Sequence, residues 1–291
     1  MRVDGVDSSA GEVSEFFAAN TEGELDKNET NVSAAVNASY RVADTWILSA
    51  GLGRAVRTAN TLERYSDRFP AVKFQNAAEF MGNPELAPER SLEWNVGTSF
   101  VAYRASFGFD AFGRSLDDYI TVVPDPDLPK RLPLSPPVVF RYINGEAQFY
   151  GYEAYGSSPL GRHFDVRGSL SYVWAEDRTL DEPAFGIPPL KFIAAGKVRS
   201  EDGGRWVELE LTAASEQTRV AERRFEQPTE GWQRFDLRAG FALASGLGAR
   251  LGLLNLTNEQ YATHLNSLNP FTMERIAEAG RTFYVGVEYG F

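Results

Sequence analysis

Between Val32 and Val42 the even positions Val32, Ala34, Val36, Ala38, Tyr40 and Val42 are apolar, with Ser33, Asn37, Ser39 and Arg41 between them. Successive strand side chains point to opposite faces, so a period of two predicts a strand with one apolar and one polar face. The pattern returns at Leu92, Trp94, Val96 and Phe100 against Glu93, Asn95 and Ser99. It returns again at Phe164, Val166, Leu170, Tyr172 and Trp174 against Asp165, Arg167, Ser169 and Ser171. Val207, Leu209 and Leu211 alternate with Glu208, Glu210 and Thr212, and Phe235, Leu237, Phe241 and Leu243 alternate with Arg234, Asp236 and Arg238. Phe283, Val285, Val287, Tyr289 and Phe291 close the sequence against Thr282, Gly286, Glu288 and Gly290.

These segments run to about ten residues or more, longer than the ~5–6 of ordinary globular strands. Their connections alternate in size. Short turns are predicted near residues 43–45, 103–104, 161–163, 201–204 and 245–248, and long loops near 59–88, 124–137, 178–189, 219–231 and 257–277. Long strands with short turns at one end and long loops at the other are what an outer-membrane barrel requires. The expected fold is all-β, an antiparallel transmembrane β-barrel, with roughly a dozen strands counted by the same alternation. A soluble antiparallel sandwich or propeller also alternates, but strand length and loop asymmetry weigh against it. Trp46, Trp206, Trp232 and Tyr289 lie near strand ends, where an interfacial aromatic girdle belongs.

Composition narrows the function. The 291 residues hold 40 acidic and 29 basic side chains, a net charge of -11, which argues against a nucleic-acid partner. Cysteine is absent, so disulfides and thiolate metal sites are excluded, and two histidines leave little for a metal cage or a hydrolytic triad. No apolar run approaches the ~18 residues of a helical span. Residues 1–29 read as a strand end followed by a loop, without the basic start and apolar stretch of a signal peptide. The segment from Gly246 to Gly252 has its third glycine one residue late for a dinucleotide loop, and Gly156-Ser157-Ser158 lacks the second glycine of a nucleophile elbow. Both read as strand or turn, and no catalytic residues are expected.

Several stretches resemble the barrel of TonB-dependent outer-membrane receptors. Gly82-Asn83-Pro84-Glu85-Leu86-Ala87-Pro88-Glu89 resembles the family's GNP-x-L-x-PE segment, after Gly53–Thr58, which is similar to its G-x-x-x-R-x-P strand end without the proline. Asn144-Gly145 followed by Gly151-Tyr152-Glu153 resembles its hairpin motif. Asn255-Leu256-Thr257-Asn258-Glu259-Gln260-Tyr261 matches NL-x-N-x-x-Y, and Glu278-Ala279-Gly280-Arg281-Thr282-Phe283 is similar to EPGR-x-F with Ala279 at the proline. Order and spacing make the set specific over roughly residues 31–291.

The resemblance implies a bacterial outer-membrane receptor for active uptake of a scarce nutrient, first an iron–siderophore chelate, with cobalamin or copper as alternatives. A passive channel or an enzyme barrel is the other reading. It implies no cofactor and no covalent chemistry. Its partners would be outer-membrane lipid, the chelate, the barrel assembly machinery, and the TonB complex through a plug domain that no segment here resembles. Residues 30–291 would be the C-terminal part of a barrel of roughly 22 strands, and such a part expressed alone is expected to insert poorly. The terminal aromatics Tyr289 and Phe291 would act as the assembly signal.

Ligand contacts are expected in the two loops 60–88 and 257–277. The first offers Arg64, Tyr65, Arg68, Phe74 and Met81, the second His264, Asn266 and Met273. Cations beside aromatic rings grip a planar anionic chelate by charge and stacking. Thioethers favour soft metals, but two methionines and one histidine are too few donors for a bare ion. The inward charges Glu208, Glu210, Arg234, Asp236 and Arg238 are expected to line a solvated wall.

Overall fold

Alternating apolar and polar side chains bury little as isolated strands, so they are stabilised by lateral pairing into a sheet with two unlike faces. A computed structural model describes residues 2–3, 27–72, 77–133, 138–244, 246–269 and 271–289. Two short strands, β1 (Arg2–Val3) and β2 (Lys27–Asn28), pair with each other. Then follow β3 (Ala34–Ala43), β4 (Trp46–Arg57), the single-turn helix α1 (Thr61–Tyr65), β5 (Phe69–Val72) and β6 (Ala77–Met81). The long strands β7 (Glu89–Ala102), β8 (Ala105–Asp125), β9 (Val139–Leu160) and β10 (Phe164–Asp177) come next. The short β11 (Glu182–Pro183) precedes β12 (Lys191–Arg199), β13 (Arg205–Ala214), β14 (Trp232–Ala244), β15 (Leu247–Leu254) and β16 (Thr282–Tyr289).

One 14-stranded sheet results, whose path is β3-β4-β7-β8-β9-β10-β12-β13-β14-β15-β16, with β5, β6 and β11 attached beside it. Each strand on this path is antiparallel to its neighbours. All five short turns and all five long loops fall where the sequence places them, so the strands form up-and-down hairpins. Among the described residues β3 and β16 each have one neighbour, leaving two open edges.

The register carries one face across the whole sheet. Val36, Leu52, Trp94 and Gly113 share a row, as do Gly196, Leu209, Leu237, Leu253 and Phe283. The opposite face carries Arg167, Glu208, Arg238, Glu210 and Asp236. Exposure is inverted relative to a water-soluble protein: Val287 is 71% exposed and Val285 58%, whereas Asp236 is 1% exposed. A continuous apolar exterior around a polar interior suits a lipid solvent, since an apolar band of this extent in water would drive association. One part of the girdle reading is corrected. Trp46 and Tyr289 lie on the apolar face, but Trp206 and Trp232 share the face of Glu208 and Arg234. Parity within a strand decides this, not nearness to its end.

Five aromatic rings lie over a glycine directly across the ladder: Trp94 on Gly113, Tyr155 on Gly108, Phe112 on Gly151, Trp206 on Gly240 and Tyr284 on Gly252. A Cβ on any of these glycines would sit 2.0 to 2.4 Å from the ring. The glycines therefore act as sockets, and each ring covers backbone that a glycine leaves bare.

Strands β8 and β9 are about twice the length needed to cross the membrane. A bulge between Leu116 and Tyr119, with Asp118 at φ 52°, separates a spanning part from an outer extension. That extension carries the compact apolar core of Ile120, Val122, Phe140 and Tyr142 with Ala59, Ala78, Phe80 and Leu86.

Candidate functional site

The long-loop end is built as a packed layer. Its base is the outer extension of β8 and β9, against which β6 runs parallel, pairing Phe80 with Phe140 and Met81 with Arg141. The Phe80 and Phe140 rings stack at 5.8 Å. Helix α1 starts because Asn60 accepts the Glu63 N–H at 2.9 Å while Glu63 accepts the Asn60 N–H at 2.9 Å, a capping box. Arg57 donates to Glu63 and Glu89. Burial works against its charge, but those two carboxylates outweigh burial and raise its pKa. Burial also pushes the Tyr142 phenol up to about 12.

The motifs that carry the family resemblance act here as bolts. Asn83 donates to the Tyr142 carbonyl at 3.2 Å, and Arg64 donates to the Pro84 carbonyl at 2.8 Å. Asn144 both accepts from the Ala87 N–H at 2.8 Å and donates to the Ala87 carbonyl at 3.0 Å. Asn255, at φ 53°, receives the Glu259 N–H at 2.7 Å and donates to the Glu259 and Ala279 carbonyls. Asn258 takes the Arg281 N–H at 2.9 Å. Such bonds satisfy loop backbone groups that no ladder reaches.

The other loops are clasped together by buried charge. Arg224, 1% exposed at its side chain, lies 3.2 Å from Asp177 and 3.1 Å from Glu182, and it donates to Thr121. Glu226 accepts the Gly186 and Ala221 N–H groups and meets His264 Nε2 at 2.9 Å, while His264 Nδ1 lies 3.0 Å from Thr229 Oγ1. Arg275 donates to the carbonyls of His264, Asn266 and Gln227. Burial lowers the Arg275 pKa, partly offset by Glu226. Three loops, at 178–190, 215–231 and 255–281, are thus tied into one lid.

This layer decides where the expected ligand contacts lie. Arg64 is fully buried, paired with Glu29 as well as Pro84, and Arg68 is buried against Asp67 and the Pro129 carbonyl. Met81 is fully buried in the core, and His264 is 2% exposed within its clasp. Asn266 is bound to Glu278, the Ile276 carbonyl and Thr263. Tyr65 is half-buried, and Met273 is 43% exposed. Phe74 and Phe291 lie outside the described residues. The structure therefore brings His264 and Asn266 together in one loop. It sets Arg64, Arg68 and Met81 in another as packing and ion-pair groups.

Inward-facing charges form a ladder rather than a bare solvated wall. Arg167 on β10 reaches across β12, where Ala195 leaves room, to Glu210 at 2.5 Å and Glu208 at 3.1 Å on β13. Arg238 on β14 lies 3.4 Å from Glu208, 3.3 Å from Glu210 and 2.8 Å from Asp236, which also pairs with Arg234 at 3.0 Å. Above this ladder and below the lid is a cleft of about 410 Å³ between β12–β14 and the last loop. Trp232 and Tyr261 pack on one side with centroids 4.3 Å apart and ring planes tilted by 31°, and Arg234 donates to the Tyr261 hydroxyl at 3.0 Å. The sequence pattern marks Arg234 and Glu210 as wall charges, Trp232 as a girdle ring and Glu278 as part of a family motif, and it does not single out Lys191. Tyr261, the last residue of NL-x-N-x-x-Y, was the available signal.

A family model described as the TonB dependent receptor-like β-barrel matches residues 1–256. No curated protein matches. Among solved structures, one titled "Copper transporter OprC" aligns with a TM-score of 0.76 at 20% identity, over 89% of this chain and 39% of that one. A mutant ferric enterobactin receptor, PfeA from Pseudomonas aeruginosa, solved with enterobactin, aligns with a TM-score of 0.68 at 16% identity, over 90% and 41%. The siderophore receptor PirA from Acinetobacter baumannii gives 0.67 at 17% identity, over 90% and 41%. The chain spans about two fifths of the length of these structures, and at such identities the likeness concerns the fold.

Proposed function

Because the chain belongs to the TonB-dependent receptor β-barrel family, whose barrels reside in the bacterial outer membrane, we propose that it forms part of the wall and outer loops of a nutrient-uptake receptor. The nutrient is a metal carried in an organic shell, first an iron–siderophore chelate. The observation that carries this reading is the cleft beneath the lid, which joins packed aromatic rings to cations at the end of a polar lumen wall. Such a surface recognises the shell of a chelate. A bare soft ion needs clustered donors, and Met81 and His264 are instead committed to packing and to the clasp.

In this reading residues 30–291 are the C-terminal part of a wider barrel. The coverage of about two fifths of each solved structure supports that division. The open edges of β3 and β16 support it too, because unpaired strand groups in lipid cost several kcal/mol each. Strand β16, with Tyr289 on its apolar face, is the element the assembly machinery would read. Energy for uptake comes from the TonB complex acting through a plug.

The test is uptake by the full-length receptor in a bacterium lacking its own chelate receptors, using a panel of labelled ferric chelates with and without a working TonB. Saturable, TonB-dependent uptake of at least one chelate is expected. Uptake of none, with the receptor folded in the outer membrane, refutes the reading.

A further inference from the structure

The lipid-facing side of the sheet changes character at one height. Leu52, Trp94, Gly113, Tyr150 and Trp174 share a row on that side, and the Tyr150 and Trp174 ring centroids lie 5.8 Å apart. Aromatic rings collect where a membrane core gives way to headgroups. One row nearer the long loops, the same side carries Arg54, Leu92, Ser115, Gln148 and Glu176, and beyond it come Val56, Arg90 and Asp117. Strand geometry agrees. Eight residues separate Arg54 from Trp46 at the short-turn end of β4, roughly 21 Å of membrane height at a rise of about 3.4 Å and a tilt of about 40°. An apolar band about 25 Å tall therefore ends close to Arg54.

Most charges at this level are already neutralised. Glu176 pairs at 2.7 Å with Arg219, whose guanidinium lies over the Trp174 ring, and Arg90 pairs with Asp118. Arg54 has no carboxylate in ion-pair reach among the described residues, and its one hydrogen bond there goes to the Val32 carbonyl at 3.4 Å. Arg54 and Arg90 face a shared hollow of about 460 Å³, lined also by Thr30, Asn31, Val56 and Asp118. Beside and below it, the exposed side chains of Val36, Leu52 and Leu92 run down the apolar face. A guanidinium fork matches phosphate oxygens, and basic hollows at membrane boundaries hold anionic headgroups. We propose that this hollow binds the headgroup of an anionic, phosphate-bearing lipid of the outer leaflet. The phosphate meets the unpaired edge of Arg54, the Arg90 cation and the Thr30 hydroxyl complete the pocket, and the acyl chains lie along Val36, Leu52 and Leu92. Continuity between the cations and the apolar rows favours a lipid over a free phosphate. The site lies on the outside of the barrel and does not depend on which nutrient passes through it.

The test uses native mass spectrometry of the full-length receptor in a neutral detergent, with phosphorylated lipid A as the probe. Dephosphorylated lipid A lacks the anion, and phosphatidylethanolamine offsets its phosphate with an ammonium. Lipid A should bind saturably and best of the three. Arg54→Gln should weaken it about tenfold, and Arg54→Lys, which keeps the charge without the fork, should weaken it less. Arg205→Gln, on the same side of the sheet at the short-turn end of β13, should change nothing. Heat-modifiable migration on gels confirms that each variant is folded. Equal retention of lipid A in wild type and Arg54→Gln, equal retention of its dephosphorylated form, or an equal loss in Arg205→Gln overturns the proposal. Displacement by inorganic phosphate at the lipid's own concentration makes the hollow a free-anion site and overturns it too.

Discussion

Replacing Val285 by arginine measures whether the apolar face meets lipid. Strand β16 has eight residues, which at a rise of about 3.4 Å and a tilt of about 40° cover roughly 20 Å of membrane height. Val285 is fourth of the eight, so it lies within about 2 Å of the middle. Arginine on the lipid face at that depth costs about 2–4 kcal/mol. The neighbouring Gly286 points the other way, opposite Arg250, and the closest atom to a new Cβ there is 4.0 Å distant. Gly286→Glu places a carboxylate across from Arg250, which already pairs with Glu288 at 2.8 Å on the same face, so the change is expected to be close to neutral. The two variants should therefore differ by at least ~2 kcal/mol, about 30-fold in the folding equilibrium. Urea unfolding of the full-length receptor in lipid vesicles, followed by tryptophan fluorescence, reads the difference. Equal costs for the two variants, or a larger cost for Gly286→Glu, would refute the assigned facing.

Three further outcomes are expected. Gly252→Ala drives a Cβ to 2.0 Å from the Tyr284 ring and should cost ~1–3 kcal/mol, a penalty that a Tyr284→Ala background relieves in a double-mutant cycle. Asn255→Ala removes three bonds that close the loop 255–281; limited proteolysis should then cut that loop while the strands stay protected, and uncut loop would disprove the bolt. Burial raises the Tyr142 pKa to about 12, so its protonated form contributes stability that is complete below pH 10 and is lost as pH rises from there through 12. A flatter alkaline stability profile in Tyr142→Phe, with a difference spectrum placing the lost phenol near 12, checks this.

Much of the fold was legible because period two is a local property. Val285, Leu209 and Leu237 declare their face through their immediate neighbours, and long loops separate themselves by composition. Trp206 and Trp232 lie near strand ends, as girdle rings do, but their parity puts them on the face of Glu208 and Arg234. The loop layer was less legible. Arg64, Arg68 and His264 have the residue types of a ligand site, yet each is buried against acceptors from residues far along the chain: Glu29 and Pro84 for Arg64, the Pro129 carbonyl beside the adjacent Asp67 for Arg68, and Glu226 for His264. A cation with a distant acid partner looks in sequence like a cation without one.

The sequence by itself determined the strands, their faces, the up-and-down connectivity and the resemblance to a receptor barrel, because alternation, turn residues and motif spacing all act between near neighbours. Only the tertiary structure decided which charges remain available. Whether Arg234 finds Asp236 and whether Arg167 crosses Ala195 to reach Glu210 depend on register between strands and on how loops close over them. Pairing at 3 Å is a property of positions in space, and neutralised charges are no longer available to a ligand.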